Sequence, residues 1–214
     1  MNMALLGILA ALSAFAFDGP DALRYEQARL AENNPYAKLV KDGGHYRLLG
    51  IAKIEMPLAK ALPAIRDVAT YPEWAWEGIN TRRNGNSGKY LVQLKPLTVE
   101  SEKNLIRVSY HLNRFFKGKR RFGMRYITAL TGKEGVSTLA MTIAKPTRLV
   151  KELSGEIRFF PIEGEEAFYI HFVGRTKVHW AIYYLIPLRF VRIDAEERVL
   201  TVLENAAKRV TARN

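Results

Sequence analysis

The middle of the chain alternates between apolar and polar positions in short segments that Gly and Asn residues separate. Between Leu105 and Leu112, for example, every second side chain is apolar and the others are polar. This two-residue period predicts antiparallel strands that turn one face inward and leave the other in water. The predicted strands cover residues 46–55, 78–83, 89–99, 104–113, 121–131, 136–144, 153–160 and 166–175.

Three segments show helical spacing instead. Apolar side chains recur every three or four residues between Leu58 and Ala69, which predicts a compact helix, and 73–76 predicts a short one after it. Residues 187–213 contain no internal Gly or Pro, and their apolar positions form one continuous stripe. A long amphipathic C-terminal helix is therefore expected to cover the sheet.

The N-terminal sequence predicts export. Residues 1–16 carry no charge and end in the small-x-small triplet Ala14-Phe15-Ala16, as in a cleavable signal peptide. The run is shorter than the ~20 apolar residues of a membrane-spanning helix, although a core helix or an uncleaved anchor is the alternative. Residues 17–45, with a modestly amphipathic helix after Pro20, are expected to form a helical extension outside the core. A periplasmic or secreted location follows from this interpretation.

Composition narrows the class of protein. The 214 residues include 33 Lys and Arg against 21 Asp and Glu, a formal net charge of +12, and no Cys. Disulfides and thiolate chemistry are therefore excluded, and residues 46–214 have the length of one domain. The charge favours anionic partners, and export favours a lipid surface or cell-wall polymer over nucleic acid. A solvated basic surface without a partner is the alternative.

Three short stretches resemble a known superfamily. The first, residues 65–74 (IRDVATYPEW), runs from the end of a predicted helix through an aspartate to a Tyr-Pro-x-Trp motif. The second, Ile186-Pro187-Leu188, opens the last predicted helix, and the third, residues 200–207, lies within it. Together with the order of elements they resemble the START/Bet v 1-like (SRPBCC) proteins, which include polyketide cyclases/dehydrases and lipid-transfer proteins. The resemblance implies an α+β helix-grip fold. In that fold a curved antiparallel β-sheet wraps around a long C-terminal helix, with two short helices after the first strand.

A sheet gripped by a helix leaves a concavity, which is where hydrophobic ligands bind. The inward faces of the predicted strands are rich in aromatic and thioether groups, while Lys95, Arg107, His111 and Arg125 are expected to face outward. Ordinary core packing is the alternative for each inward residue. The predicted ligand-binding residues are Trp76, Tyr90, Val92, Val108, Tyr110, Met124 and Tyr126.

Catalytic patterns are weak. The four histidines lack metal-ligand spacing, and no nucleophile or phosphate-binding motif is present. The carboxylate pairs Glu165-Glu166 and Glu196-Glu197 fall in a predicted turn and on an exposed helical face. We therefore expect no cofactor, no metal and no catalytic residue, and an exported carrier of a hydrophobic or lipid-like ligand. A cyclase-type enzyme and an envelope-polymer interaction module are the alternatives.

One predicted loop combines cations with two adjacent phenylalanines. An anionic membrane would neutralise the cations and bury the rings, so the segment predicts membrane docking. The alternative is that a phenylalanine folds back over the end of the sheet. Single-stranded nucleic acid also suits such a loop, but export disfavours it. The predicted docking residues are Arg114, Phe115, Phe116, Lys117, Lys119, Arg120 and Arg121.

Overall fold

In the part of the chain that the structure describes, eight strands form one antiparallel sheet in the order β1-β2-β8-β7-β6-β5-β4-β3. The computed structural model describes residues 34–81, 92–112, 119–129 and 137–212. Each strand pairs in antiparallel register with its neighbours, so β1 and β3 are the two edges. The strands are β1 (Tyr36–Asp42), β2 (His45–Ile54), β3 (Val92–Glu100), β4 (Leu105–Leu112), β5 (Lys119–Ala129), β6 (Ser137–Ile143), β7 (Val150–Pro161) and β8 (Phe168–Val178).

Within the described residues, four α-helices accompany the sheet. The long helix predicted at the C-terminus is confirmed, and a short helix that the sequence pattern did not predict precedes it. No described helix combines the length and the apolar character needed to cross a membrane. The helices are α1 (Leu58–Arg66), α2 (Tyr71–Trp74), α3 (Trp180–Leu185) and α4 (Leu188–Thr211), with single 3-10 turns at Val68–Thr70 and Ser101–Lys103.

The boundary predicted at residue 45 is wrong. Residues 36–42 form β1, which pairs along its whole length with β2, and Leu39 is buried. The connection is a tight turn in which Gly43 and Gly44 have φ angles of 52° and 84°, values that favour glycine. The sheet therefore begins before the predicted domain start. The signal peptide and the helix expected after Pro20 lie outside the described residues.

The prediction of a strand at 78–83 is also wrong for residues 78–81, the part of it that the structure describes. Residues 75–80 form consecutive turns, and Gly78 has a φ of 68°. This turn segment follows α2 and packs against α4 and β3. The two short helices therefore follow the second strand of the chain.

The core lies between the sheet and α4. Phe168 on β8 and Ile51 on β2 are fully buried, and α4 presents Val199, Leu203, Ala206 and Val210 to the same interior. At Gly50 the helix comes so close that a Cβ atom would lie 2.3 Å from Cγ1 of Val199. Together these elements form the helix-grip fold, as predicted.

Candidate ligand-binding cavity

An apolar cavity of about 280 Å³ lies between the inner face of the sheet and α4. The sheet contributes aliphatic, thioether and aromatic side chains, and one face of α4 closes the other side. Arg198 is the charged residue among the described residues that line it. The side chains from the sheet include Leu48, Met124, Met141, Ile157, Ile170 and Phe172, and those from α4 include Ala195, Val199, Val202, Leu203 and Ala206.

The Tyr-Pro-x-Trp segment builds one wall of this cavity. The Tyr71 hydroxyl donates a hydrogen bond of 2.5 Å to the carbonyl of Ile65, which ties α2 to the end of α1. The Trp74 ring packs edge-on against Tyr71, and its Nε1 donates to Oγ1 of Thr70 at 3.2 Å. Burial raises the pKa of Tyr71, so its hydroxyl stays a neutral donor. Ile65, Tyr71 and Trp74 all face the cavity.

Two glycines widen the cavity on the sheet side. Gly155 on β7 lies directly opposite Gly174 on β8, and both line the cavity. A Cβ atom at Gly174 would lie 2.9 Å from Cζ of Phe172, and a Cβ atom at Gly155 would lie 3.3 Å from Cε2 of the same ring. The missing side chains therefore leave space for the Phe172 ring to lie along the sheet.

Two charged side chains of α4 hold the edge strand β3. The backbone N–H of Val92 donates to Oδ2 of Asp194 at 3.3 Å, and Nη2 of Arg198 donates to the Val92 carbonyl. The Arg198 Nε also donates to the carbonyl of Ile79 at 3.1 Å. Asp194 is buried despite its charge. These bonds fasten the first residue of β3 and the turn segment to α4.

Two asparagines complete this attachment. Nδ2 of Asn205 on α4 donates to the carbonyls of Ala75 and Glu77, at 3.2 and 2.8 Å. Asn80 exchanges two hydrogen bonds with the backbone of Leu94, at 2.6 and 2.9 Å. The wall formed by residues 75–81 is thus held by side-chain amides on both sides. An isolated asparagine carries no sequence pattern that would have indicated this role.

Two of the predicted ligand-binding residues lie on the cavity. Trp76 and Met124 line it, from the turn segment and from β5. Val92 is half-buried at the start of β3, where its backbone is bonded to α4. Tyr90 lies outside the described residues.

The other three predicted residues are core residues. Val108 and Tyr126 are buried in a cluster with Val68 and Tyr71, so the segment after α1 covers them instead of leaving them open. Tyr110 is buried with its ring centroid 5.8 Å from that of Phe122, and its hydroxyl lies 3.4 Å from Oγ1 of Thr147. Alternation identified their inward face correctly, but it could not show which inward residues a helix would cover.

Of the four residues predicted to face outward, three are exposed as the alternation predicts: Lys95, Arg107 and Arg125. His111 is only half exposed, and its Nδ1 is buried.

The predicted docking loop is shorter than expected. Lys119, Arg120 and Arg121 belong to β5 and pair with β4, which a run of three cations does not indicate in the sequence. Arg121 is exposed. Arg114, Phe115, Phe116 and Lys117 lie outside the described residues, and membrane docking by this loop stays a prediction.

Comparison with solved structures confirms the helix-grip fold. The protein TTHA0849 from Thermus thermophilus is 13% identical, with a TM-score of 0.51, over 78% of this chain and 99% of that one. A conserved protein from Geobacillus kaustophilus is 11% identical, with a TM-score of 0.50, over 78% and 95% of the two chains. A STAR-related lipid transfer protein from Xanthomonas axonopodis is 10% identical, with a TM-score of 0.46, over 82% and 98%.

Because every identity is below 25%, these similarities show the shared fold alone. No protein-family model matches the sequence. No curated protein matches it significantly.

Proposed function

We propose that this protein binds, and carries through an aqueous compartment, a hydrophobic or lipid-like molecule held between the sheet and α4. The observation that supports the proposal is the apolar cavity itself. Its volume of about 280 Å³ is near the lower end of the ~300–1,000 Å³ range of small-molecule sites. It suits a small apolar molecule or a single hydrocarbon chain better than a lipid with two chains.

The side chains around the cavity favour binding over catalysis. Among the described lining residues there is no Asp, Glu, His or Lys, the groups that most often transfer protons. The Arg198 guanidinium donates to two backbone carbonyls, and the Tyr71 hydroxyl donates to a third. These polar groups therefore hold the wall together, and a cyclase-type reaction would need a proton donor or acceptor from elsewhere.

Filling the cavity should weaken binding. We expect Val202→Phe combined with Ala195→Leu to reduce the affinity for a fluorescent single-chain fatty acid, cis-parinaric acid, by about tenfold or more, because both side chains enlarge into the cavity. Ile193→Phe enlarges an exposed side chain of the same helix and is the matched control. Fluorescence titration measures all three proteins.

Equal affinity of the filled variant and the control would contradict the assignment of the cavity. Native mass spectrometry of protein from its natural host then identifies the cargo. A co-purifying single-chain lipid supports the carrier. An empty protein that converts an aromatic polyketide would support the cyclase, and retention on cell-wall polymer without any cavity ligand would support the interaction module.

Export is the second part of the proposal, and the apolar run ending at Ala16 supports it. We expect the protein recovered from the periplasm or medium to begin at Phe17, as N-terminal sequencing would show. Replacing Ala14 and Ala16 with Gln should block the processing, because the cleavage site requires small residues. Recovery of the unmodified protein in the cytoplasm with Met1 intact would contradict export.

A further inference from the structure

Three large apolar side chains of α3 point into solvent. Trp180, Tyr184 and Leu185 have exposed fractions of 62%, 72% and 70%, whereas the other exposed large apolar side chains of the described part of the chain are near 39%. All three belong to one six-residue helix. Contiguous exposed apolar groups of this kind mark an interaction surface more often than a solvated one.

The exposure is a fixed feature of the fold, because α3 is anchored by its opposite face. Tyr183 is buried, with its ring centroid 5.2 Å from that of Tyr46. The Tyr183 carbonyl accepts a hydrogen bond of 2.5 Å from Nζ of Lys41, and its hydroxyl accepts one of 3.3 Å from the N–H of Gly44. The helix is therefore held on the β1–β2 hairpin with the three apolar side chains outward.

A basic depression adjoins this apolar surface. It has a volume of about 450 Å³, and Lys151 and Lys177 line it together with Trp180 and Tyr184. Among the described residues that line it there is no carboxylate, and Glu152, next to Lys151 in the chain, accepts a hydrogen bond of 3.2 Å from Nζ of Lys177 and lies 3.4 Å from Nε2 of His45. Cations therefore outnumber carboxylates beside the aromatic rings.

We propose that α3 and this depression dock onto a bilayer that contains anionic phospholipid. Trp and Tyr prefer the headgroup region of a membrane, where their rings are buried and their polar atoms stay hydrated. Lysines beside them gain from the negative surface potential. The formal net charge of +12 complements the same partner. This surface lies outside the cavity, so the proposal does not depend on which ligand the cavity holds.

Docking in this way would also orient the cavity. Strand β8 carries Thr176 on the cavity wall and ends at Val178, directly before α3. The end of the sheet that bears α3 would therefore face the bilayer. A carrier with this orientation presents one end of its cavity to the lipid surface.

Vesicle sedimentation tests the proposal with two variants of the full chain. The aromatic variant combines Trp180→Gln, Tyr184→Gln and Leu185→Gln, and the charge variant combines Lys151→Gln with Lys177→Gln. The charge control, Lys60→Gln with Lys208→Gln, removes two exposed lysines elsewhere. Ile193→Gln is the apolar control, and every protein has the same N-terminal form. Vesicles contain phosphatidylcholine with or without phosphatidylglycerol.

We expect the unmodified protein to prefer the anionic vesicles. The charge variant should bind them about 10- to 30-fold more weakly, since each lysine near the surface is worth about fivefold. The aromatic variant should lose about tenfold or more on both vesicle types. Vesicles with brominated acyl chains should quench the tryptophan emission of the unmodified protein, and Trp180→Phe should remove that quenching.

Undiminished binding by the aromatic variant would overturn the proposal and leave the predicted loop at residues 114–117 as the membrane contact. Equal losses in the charge variant and its control would show that net charge alone acts, which also overturns it. If the unmodified protein ignores vesicles but forms a dimer that the aromatic variant lacks, α3 binds a second copy instead. The cavity-filling variant should bind vesicles as the unmodified protein does. The docking proposal and the cavity proposal can therefore fail independently of each other.

Discussion

Replacing Gly50 with alanine is expected to destabilise the protein by about 1–3 kcal/mol, as overpacking in a close-packed interior does. The new Cβ atom would lie 2.3 Å from Cγ1 of Val199 and 3.2 Å from Cδ1 of Leu203. Valine is stiff about χ1 in a helix, so relief requires a displacement of α4 itself. The free energy of unfolding, measured by denaturant titration, should therefore fall.

The clash can be isolated with a second substitution. Val199→Ala removes the obstructing methyl groups, so the double variant should be less destabilised than the sum of the single variants, by about 0.5–3 kcal/mol of coupling. Gly123→Ala is the matched glycine control, because its Cβ would meet the end of the flexible Leu105 side chain at 2.8 Å. Additive effects at Gly50 and Val199 would show that α4 does not approach β2 as closely as the fold implies.

The sequence predicted the elements whose period continues over many residues. The long C-terminal stripe identified α4 almost to its ends, and alternation located β4 and β7 to within a few residues. β1 was not predicted, because its seven residues mix aliphatic and charged side chains on both faces. Edge strands are held by backbone pairing to one neighbour, which leaves little trace in side-chain pattern.

Other parts of the site depend on contacts between distant residues. Helix α3 has the sequence WAIYYL, whose apolar character is continuous and has no helical period. Asn205 and Asp194 lie beside the apolar stripe of α4 and, taken alone, resemble surface residues. Their role follows from backbone groups more than 100 positions away, at Ala75 and Val92, which no local pattern specifies.

The largest effect on the cavity wall is expected from Arg198→Leu. The substitution keeps most of the apolar stem but removes both hydrogen bonds to the carbonyls of Ile79 and Val92. Hydrogen bonds from a charged donor contribute about 1.5–3 kcal/mol each, but both come from one half-buried guanidinium and are not fully additive, so a loss of about 2–4 kcal/mol in unfolding free energy is expected. Denaturant titration measures it.

Two control variants separate the attachment of the wall from charge alone. Arg192→Leu removes a cation on the exposed side of α4, where Nε of Arg192 lies 3.6 Å from Oε1 of Glu196. This substitution should lower the free energy of unfolding by at most about 1 kcal/mol. Arg198→Lys keeps the charge but lacks the planar fork that reaches two carbonyls, so its loss should be intermediate.

The same variants connect stability with binding. If Arg198 holds the turn segment and β3 against α4, its loss should loosen the wall that carries Trp76 and Ile79, both of which line the cavity. The fatty-acid probe should then dissociate several-fold faster from Arg198→Leu than from Arg192→Leu in stopped-flow measurements. Unchanged dissociation, together with the lowered stability, would show that Arg198 supports the fold without controlling access to the cavity, and the ligand would have to enter past another wall.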